Sequence, residues 1–321
     1  MNKLLGMCMA SAILAGCSGN PFTPILSDDA PVVVDTPATP VPDPFATIPA
    51  ALANNLQSAT YDADAGTLVL RLTSLSSGTL DATYTRTPAL DRPGYQAYTL
   101  QDDPLDRHVT AMVARSSDVG NSVQAGAAAD GGQFNTFFSG GFYERNDPGN
   151  TFVKPTSGLV SYAGTYAGQT NINAPGDQLL PVDPAVDTAA RPAQSAQVVG
   201  TIFLNVDFAN NTINGAIFDR SLIQLTQPLP DLALRVGNIA TDGTFYGNTV
   251  NYRGVPEQDI GDYGGIFGGT DASAVGGVVA LTEFDGPSNS LGYQGERETG
   301  VFVLSRCGAT GSDPLLCANA N

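Results

Sequence analysis

Between Ser195 and Cys307 the chain repeatedly leaves a one-faced hydrophobic alternation for a glycine- or asparagine-marked turn and returns to it, a pattern few folds accept besides an antiparallel sheet. Ile202, Leu204, Val206 and Phe208 alternate with Thr201, Phe203, Asn205 and Asp207, the period of a strand with one buried face. Ala209-Asn210-Asn211 interrupts, and Ile213, Gly215 and Ile217 resume the alternation, which predicts a hairpin. GTFYG (243–247), YGGIFGG (263–269), VGGVVALTEF (275–284) and TGVFVLSRC (299–307) follow. Counted from LVSYAGTYAG (159–168), these make about eight strands, enough to close a small barrel. Glycines within them suit its tight bends. Large inward residues, Phe203 or Phe208 with Phe245, Phe267 and Phe302, predict a filled interior.

Three of these strings carry a family resemblance: GTYAG (164–168), VDFANNTINGAI (206–217) and GGIFGGTDASAVGG (264–277). In this order they resemble the barrel domain of the transferrin-binding-protein-B-like surface lipoproteins of Gram-negative bacteria. The resemblance covers roughly the last half of the chain. It implies a small open-sheet handle domain ahead of the barrel, one helical turn at TDASA, and a non-catalytic role in capturing a protein or a metal or haem carrier. It also implies two accessory partners, an outer-membrane transporter and a surface-lipoprotein translocon.

The start of the chain supplies the matching address. Lys3 and the short apolar run Leu4 to Ala15 form a signal segment, residues 1–16, too short to span a bilayer. The run ends in Leu14-Ala15-Gly16-Cys17, a lipobox-like string that predicts lipidation at Cys17. Ser18 after that cysteine resembles the pattern of lipoproteins sent to the outer membrane, and the surface exposure of the resembled family makes the cell surface the expected destination. Residues 17–49 are rich in Pro, Asp, Thr and Ala and lack a period, as a mobile tether would. Residues 50–154 carry a short helix over 48–58 and then alternating segments separated by Gly, Asp and Pro, the expected β-rich handle. Residues 155–321 are the expected eight-stranded antiparallel, soluble barrel, so the chain is mainly β. Absent Trp and short candidate strands argue against a barrel that crosses a membrane.

Formal net charge is −17, and only Lys154 remains as lysine after the signal. That balance repels phosphate backbones, so nucleic acid is not an expected partner. Cys307 and Cys317 remain after the signal and anchor cysteines, and an even pair in an exported chain predicts a disulfide.

No catalytic constellation assembles from the sequence. His108 is the one histidine and no G-x-S-x-G elbow accompanies it. With Asp102, Asp103, Asp106 and Arg107 it makes either an ion site or a charged turn leading into a strand, and the turn is expected. Asp62-x-Asp64-x-Gly66 has Thr73 where a calcium loop needs glutamate, so a hairpin turn is expected. Alternation puts Glu296 and Glu298 on one face, but Arg297 and the flanking glycines make a solvated strand entrance. No cofactor, metal or catalytic residue is therefore expected. Recognition in such scaffolds belongs to loops, and the Gln169 to Ser195 stretch is read as the longest structureless one. Contact residues are expected at Asn171, Asn173, Asp177, Tyr252 and Tyr263. A lipocalin-like small-molecule carrier and a structural, periplasm-facing lipoprotein are the competing readings.

Overall fold

A computed structural model describes residues 48–73, 81–146, 152–155 and 158–318, which belong to one compact unit. The signal segment, Cys17 and the tether through residue 47 lie outside the described residues. Two antiparallel sheets fall on either side of Pro155. The first follows a short helix α1 (Ala50–Ala53) and is an up-and-down meander of β1 (Leu56–Asp62), β2 (Thr67–Leu72), β3 (Asp81–Arg86), β4 (Gln96–Leu100), β5 (Val109–Arg115), β6 (Val123–Asp130) and β7 (Ser139–Arg145). It is more closed than the expected open sheet: Asn55 N–H, just before β1, donates to Ser139 O of β7 at 2.9 Å.

The second sheet comprises β8 (Leu159–Ala174), β9 (Gln194–Asp207), β10 (Thr212–Leu222), a two-residue β11 (Gln227–Pro228), β12 (Leu232–Asn238), β13 (Thr244–Tyr252), β14 (Val255–Gly268), β15 (Ala274–Thr282) and β16 (Arg297–Ser305). Pairing of β9 with both β8 and β10 closes eight of these into a barrel, with β11 a side strand on β10. Several strands outrun the expectation, β8 reaching 16 residues, so short strands do not explain why this barrel differs from a membrane one. Sidedness does. Apart from the buried Arg220–Glu298 pair the interior is largely apolar, while Asn205 and Arg235 face outward, a sidedness opposite to that of a membrane-spanning barrel. No described helix is long and apolar enough to cross a membrane.

Phe267 is the hub of the interior. Its ring lies 5.2 Å from Phe208, 5.3 Å from Phe245 and 5.6 Å from Tyr162. Phe302 is buried with them, and Phe203 is the residue that turns outward. The barrel is thus packed by its own side chains, as one of this strand number can be. A second core lies between the sheets, where Ala167, Ile266, Ala274, Val278 and Val301 on the barrel's outer face meet β5 to β7. This explains the monotonous sequence of β6, VQAGAAAD, in which every residue is buried. With both faces covered, small side chains replace alternation.

Because the barrel strands alternate in direction, one end collects the segments 175–193, 223–231, 253–254 and 283–296. The other end carries 208–211, 239–243 and 269–273, and the tail after β16. That tail ends in α2 (Pro314–Ala318) and is held by the Cys307–Cys317 disulfide.

Candidate functional site

The long-loop end of the barrel meets the β6–β7 connection of the first sheet, and a cleft of about 300 Å³ opens between them. The β6–β7 side is a two-residue turn. Gln133 and Thr136 bond reciprocally at 3.1 and 3.0 Å, and Phe134 and Asn135 between them have φ of 52° and 57°. Two successive positive φ values define a turn that suits Asn and Gly. Phenylalanine in that conformation is strained, and Phe134 is 58% exposed.

The turn is held from below by a buried ion pair. Arg107 pairs with Asp130 and also donates to Thr136 O and Gln133 O, each at 2.9 Å. Asp130 Oδ1 accepts from Gly132 N–H and Phe138 N–H at 3.1 and 3.0 Å. Burial pushes the Asp130 carboxyl up, against the pull of these N–H groups and Arg107. The Arg107 guanidinium also covers the Phe138 ring at 4.7 Å.

The opposite wall is the 175–193 segment with the end of β8. Backbone bonds stitch it to the turn: Phe134 N–H to Ala189 O at 3.0 Å, Gly131 N–H to Ala193 O at 3.1 Å, and Ala193 N–H to Gly132 O at 3.2 Å. The Gln133 amide nitrogen reaches Leu105 O and Ala190 O at 2.8 and 2.7 Å. Arg191 secures its own loop by donating to Pro184 O and Val186 O. The expected structureless run from Gln169 to Ser195 is therefore corrected. β8 continues to Ala174, β9 starts at Gln194, and the connection carries a short 3₁₀ turn over Thr188–Ala190 capped by Asp187.

Asn171 and Asn173 line this cleft. Asn171 is partly committed, donating to Gly295 O at 3.0 Å and accepting from Arg297 N–H at 2.8 Å. Asp177 is exposed on the same connection but outside the cleft lining. Tyr252 and Tyr263 are elsewhere: both are buried among the barrel's interior residues. Tyr263 donates to Arg235 O at 2.5 Å, and the Tyr252 hydroxyl accepts from Gly286 N–H at 3.1 Å. Burial pushes Tyr252 up to about 12 and Tyr263 higher. Their rings fill the core, so the surface role expected for these two is corrected.

Three further expectations resolve on local geometry. Asp62 Oδ1 accepts from Asp64 and Ala65 N–H, making the hairpin turn. Asp103 caps Leu105 N–H at 3.0 Å, Arg107 leaves for Asp130, and His108 turns inward with both ring nitrogens unpartnered. Burial lowers the His108 imidazole to about 4. Glu296 and Glu298 do share a face, but it is a buried one, not a solvated entrance. Glu298 takes the Arg220 guanidinium and the Tyr166 hydroxyl, each at 2.5 Å. Arg220 also donates to Pro230 O and Phe284 O, tying two end loops to this interior cluster. A Cβ on Gly300 would overlap the Tyr166 hydroxyl, which explains glycine there. Sequence reasoning missed Arg220 because its carboxylate partner is 78 residues away.

No family model matches the sequence, and no curated protein matches it. The chain is similar to solved structures at low identity. A transferrin binding protein B double mutant from Haemophilus parasuis Hp5 is 12% identical with a TM-score of 0.38, covering 78% of this chain and 54% of that one. The isotype 1 transferrin binding protein B of serogroup B Neisseria meningitidis is 14% identical with a TM-score of 0.34, covering 78% and 52%. This chain thus spans about half the length of both. A structure described as a surface lipoprotein is 15% identical with a TM-score of 0.33, covering 77% of this chain and 96% of that one.

Proposed function

We propose that this is a lipid-anchored outer-membrane protein, displayed at the cell surface, that captures a protein ligand or the carrier of a metal or haem and performs no chemistry on it. The observation that carries the reading is Phe134. An exposed aromatic occupies a turn position that asparagine or glycine would hold without strain, at the rim of a cleft built from the β6–β7 turn and the 175–193 connection. Strain kept at a surface position points to use, not to folding, and an aromatic anchor is the side chain that interface centres favour. Leu105 and Leu180 are also exposed, on the connections that precede β5 and β9. A filled barrel leaves recognition to this outer surface and away from a lipocalin-like interior.

The anchor at Cys17, the tether and the cooperation with a transporter and a translocon extend the proposal through the sequence resemblance. Affinity capture with the immobilised mature chain, run beside Phe134→Ala, tests the reading. One captured species lost in the variant is expected; a captured set identical in both would overturn it. Protease shaving of intact cells should remove the protein, and complete protection would exclude display at the surface.

A further inference from the structure

The connection between β15 and β16, residues 283–296, contains oxygen atoms that the fold buries and does not satisfy. Asp285 Oδ1, Asn289 Oδ1 and Glu296 Oε2 are each buried without a hydrogen-bond partner. Asp285 and Glu296 are 1% and 3% exposed, and their carboxyl groups lie against each other. Several nearby donors are committed. Leu291 N–H goes to Asp285 Oδ2 at 2.7 Å, Gly286 N–H to the Tyr252 hydroxyl at 3.1 Å, and the Asn289 amide nitrogen to Tyr293 O at 2.6 Å. The buried cation Arg220 gives its terminal nitrogens to Glu298 and two carbonyls and keeps Nε without a partner. Adjoining buried carboxylates with an oxygen on each left unsatisfied cost several kcal/mol unless a proton or a cation lies between them.

We propose that this connection is a calcium-binding loop, with Asp285, Asn289 and Glu296 supplying side-chain oxygens and Glu283 standing at its rim. Every side-chain donor in the set is oxygen, the choice of a hard cation and not of zinc or copper. A cavity of about 200 Å³ bordered by Glu283, Asn289 and Glu296 gives room for the ion and its waters. The spacing also fits. Counting Asp285 as the first position, Asn289 is the fifth and Glu296 the twelfth, three of the places at which calcium loops carry ligands. Pro287 stands at the third and supplies no side-chain oxygen, and strands flank the loop where the helix–loop–helix motif has helices. The likeness is therefore one of ligand spacing alone. Among the described residues no three acidic, histidine or cysteine side chains gather to hold a metal. Two carboxylates and one amide place the affinity with the weak extracellular modules, at about 10⁻⁴ to 10⁻³ M.

The ion would stiffen the wall beside the cleft. Asn171 lines that cleft and is bonded at both ends of its amide to the loop's exit, at Gly295 O and Arg297 N–H.

Titration calorimetry of the chelator-treated full chain with calcium chloride, paired with thermal unfolding, tests this. One calcium per chain and a raised unfolding midpoint are expected, with binding weakened at least tenfold in both Glu296→Gln and Asp285→Asn. Asn289→Ala should weaken binding less, and serves if either carboxylate variant fails to fold. Asp102→Asn removes an exposed acid of equal charge and should leave affinity unchanged. Calcium that raises the midpoints of wild type and Glu296→Gln equally would mean diffuse screening and overturn the proposal. So would a wild type that takes up no calcium while Glu296→Gln is more stable, because the carboxyl pair would then be sharing a proton.

Discussion

The two ends of the barrel are built differently. At the end bearing 208–211, 239–243 and 269–273, connections are short and bonded to the fold at every step. Asp118 accepts from Ser116, Ser122 and Ser273 at 2.6 to 2.7 Å, so that one carboxylate joins the two sheets. Arg145 reaches Phe267 O, and the disulfide closes the tail. At the opposite end all connections but 253–254 are long, one carries exposed Leu180, and the first sheet brings exposed Leu105 and Phe134 alongside the cleft. Unsatisfied buried groups lie here too, Asp285 and Glu296 on the barrel and His108 on the first sheet. Left-handed residues occur at both ends, Asp271 and Ala272 among them at the short-loop end, so it is the unsatisfied buried groups, and not backbone strain, that distinguish the long-loop end.

The sharpest way to break the comparison is Arg220→Ala. It leaves Glu298 buried without a counter-charge and frees two end loops, so a loss of about 3 to 5 kcal/mol is expected in denaturant unfolding. Paired replacement of Arg220 and Glu298 by Met and Leu should recover most of it.

The His108 effect depends on pH. Its folded pKa of about 4 lies below the ordinary 6.5, so between these values the unfolded chain binds the proton and the folded chain does not. Stability should fall as pH drops from about 6.5 to about 4, by about 3 kcal/mol over the window, and level off below it. His108→Gln should flatten that slope specifically, as read from unfolding midpoints across the pH series.

At the locked end, replacing Cys307 and Cys317 by alanine should cost about 2 to 3 kcal/mol by the loop-entropy estimate, without altering ligand capture. The smallest effect has the opposite sign. Phe134→Asn relieves a left-handed phenylalanine and should stabilise the chain by about 1 kcal/mol, while abolishing capture. A stabilised variant that still captures its ligand would remove Phe134 from the site.

How much of this was legible in the sequence follows the same division. The 202–217 hairpin and the strands at 275–284 and 299–307 were readable because one buried face imposes a period of two. β12 was missed, since Arg235, Val236 and Gly237 break its alternation and Pro228 and Pro230 stand before it. β1 was hidden behind the helical AALANN string. Tyr252 and Tyr263, beside polar or glycine neighbours, resemble surface aromatics until closure of the barrel turns them inward. The order of 175–193 was illegible in principle, because its partners are backbone groups of residues 131–134 on another sheet. Arg220, Glu298 and the Phe134 turn share that feature: each is defined by a long-range partner or a backbone angle, neither of which has a local sequence period.

The central claim is that recognition belongs to the long-loop end and to the cleft between the sheets. Hydrogen–deuterium exchange of the chain with and without its captured protein measures this directly. The account predicts protection confined to residues 131–137, 171–173 and 186–193. Protection centred on the tail from 307 to 318 or the 239–243 connection, with the cleft unchanged, would contradict it.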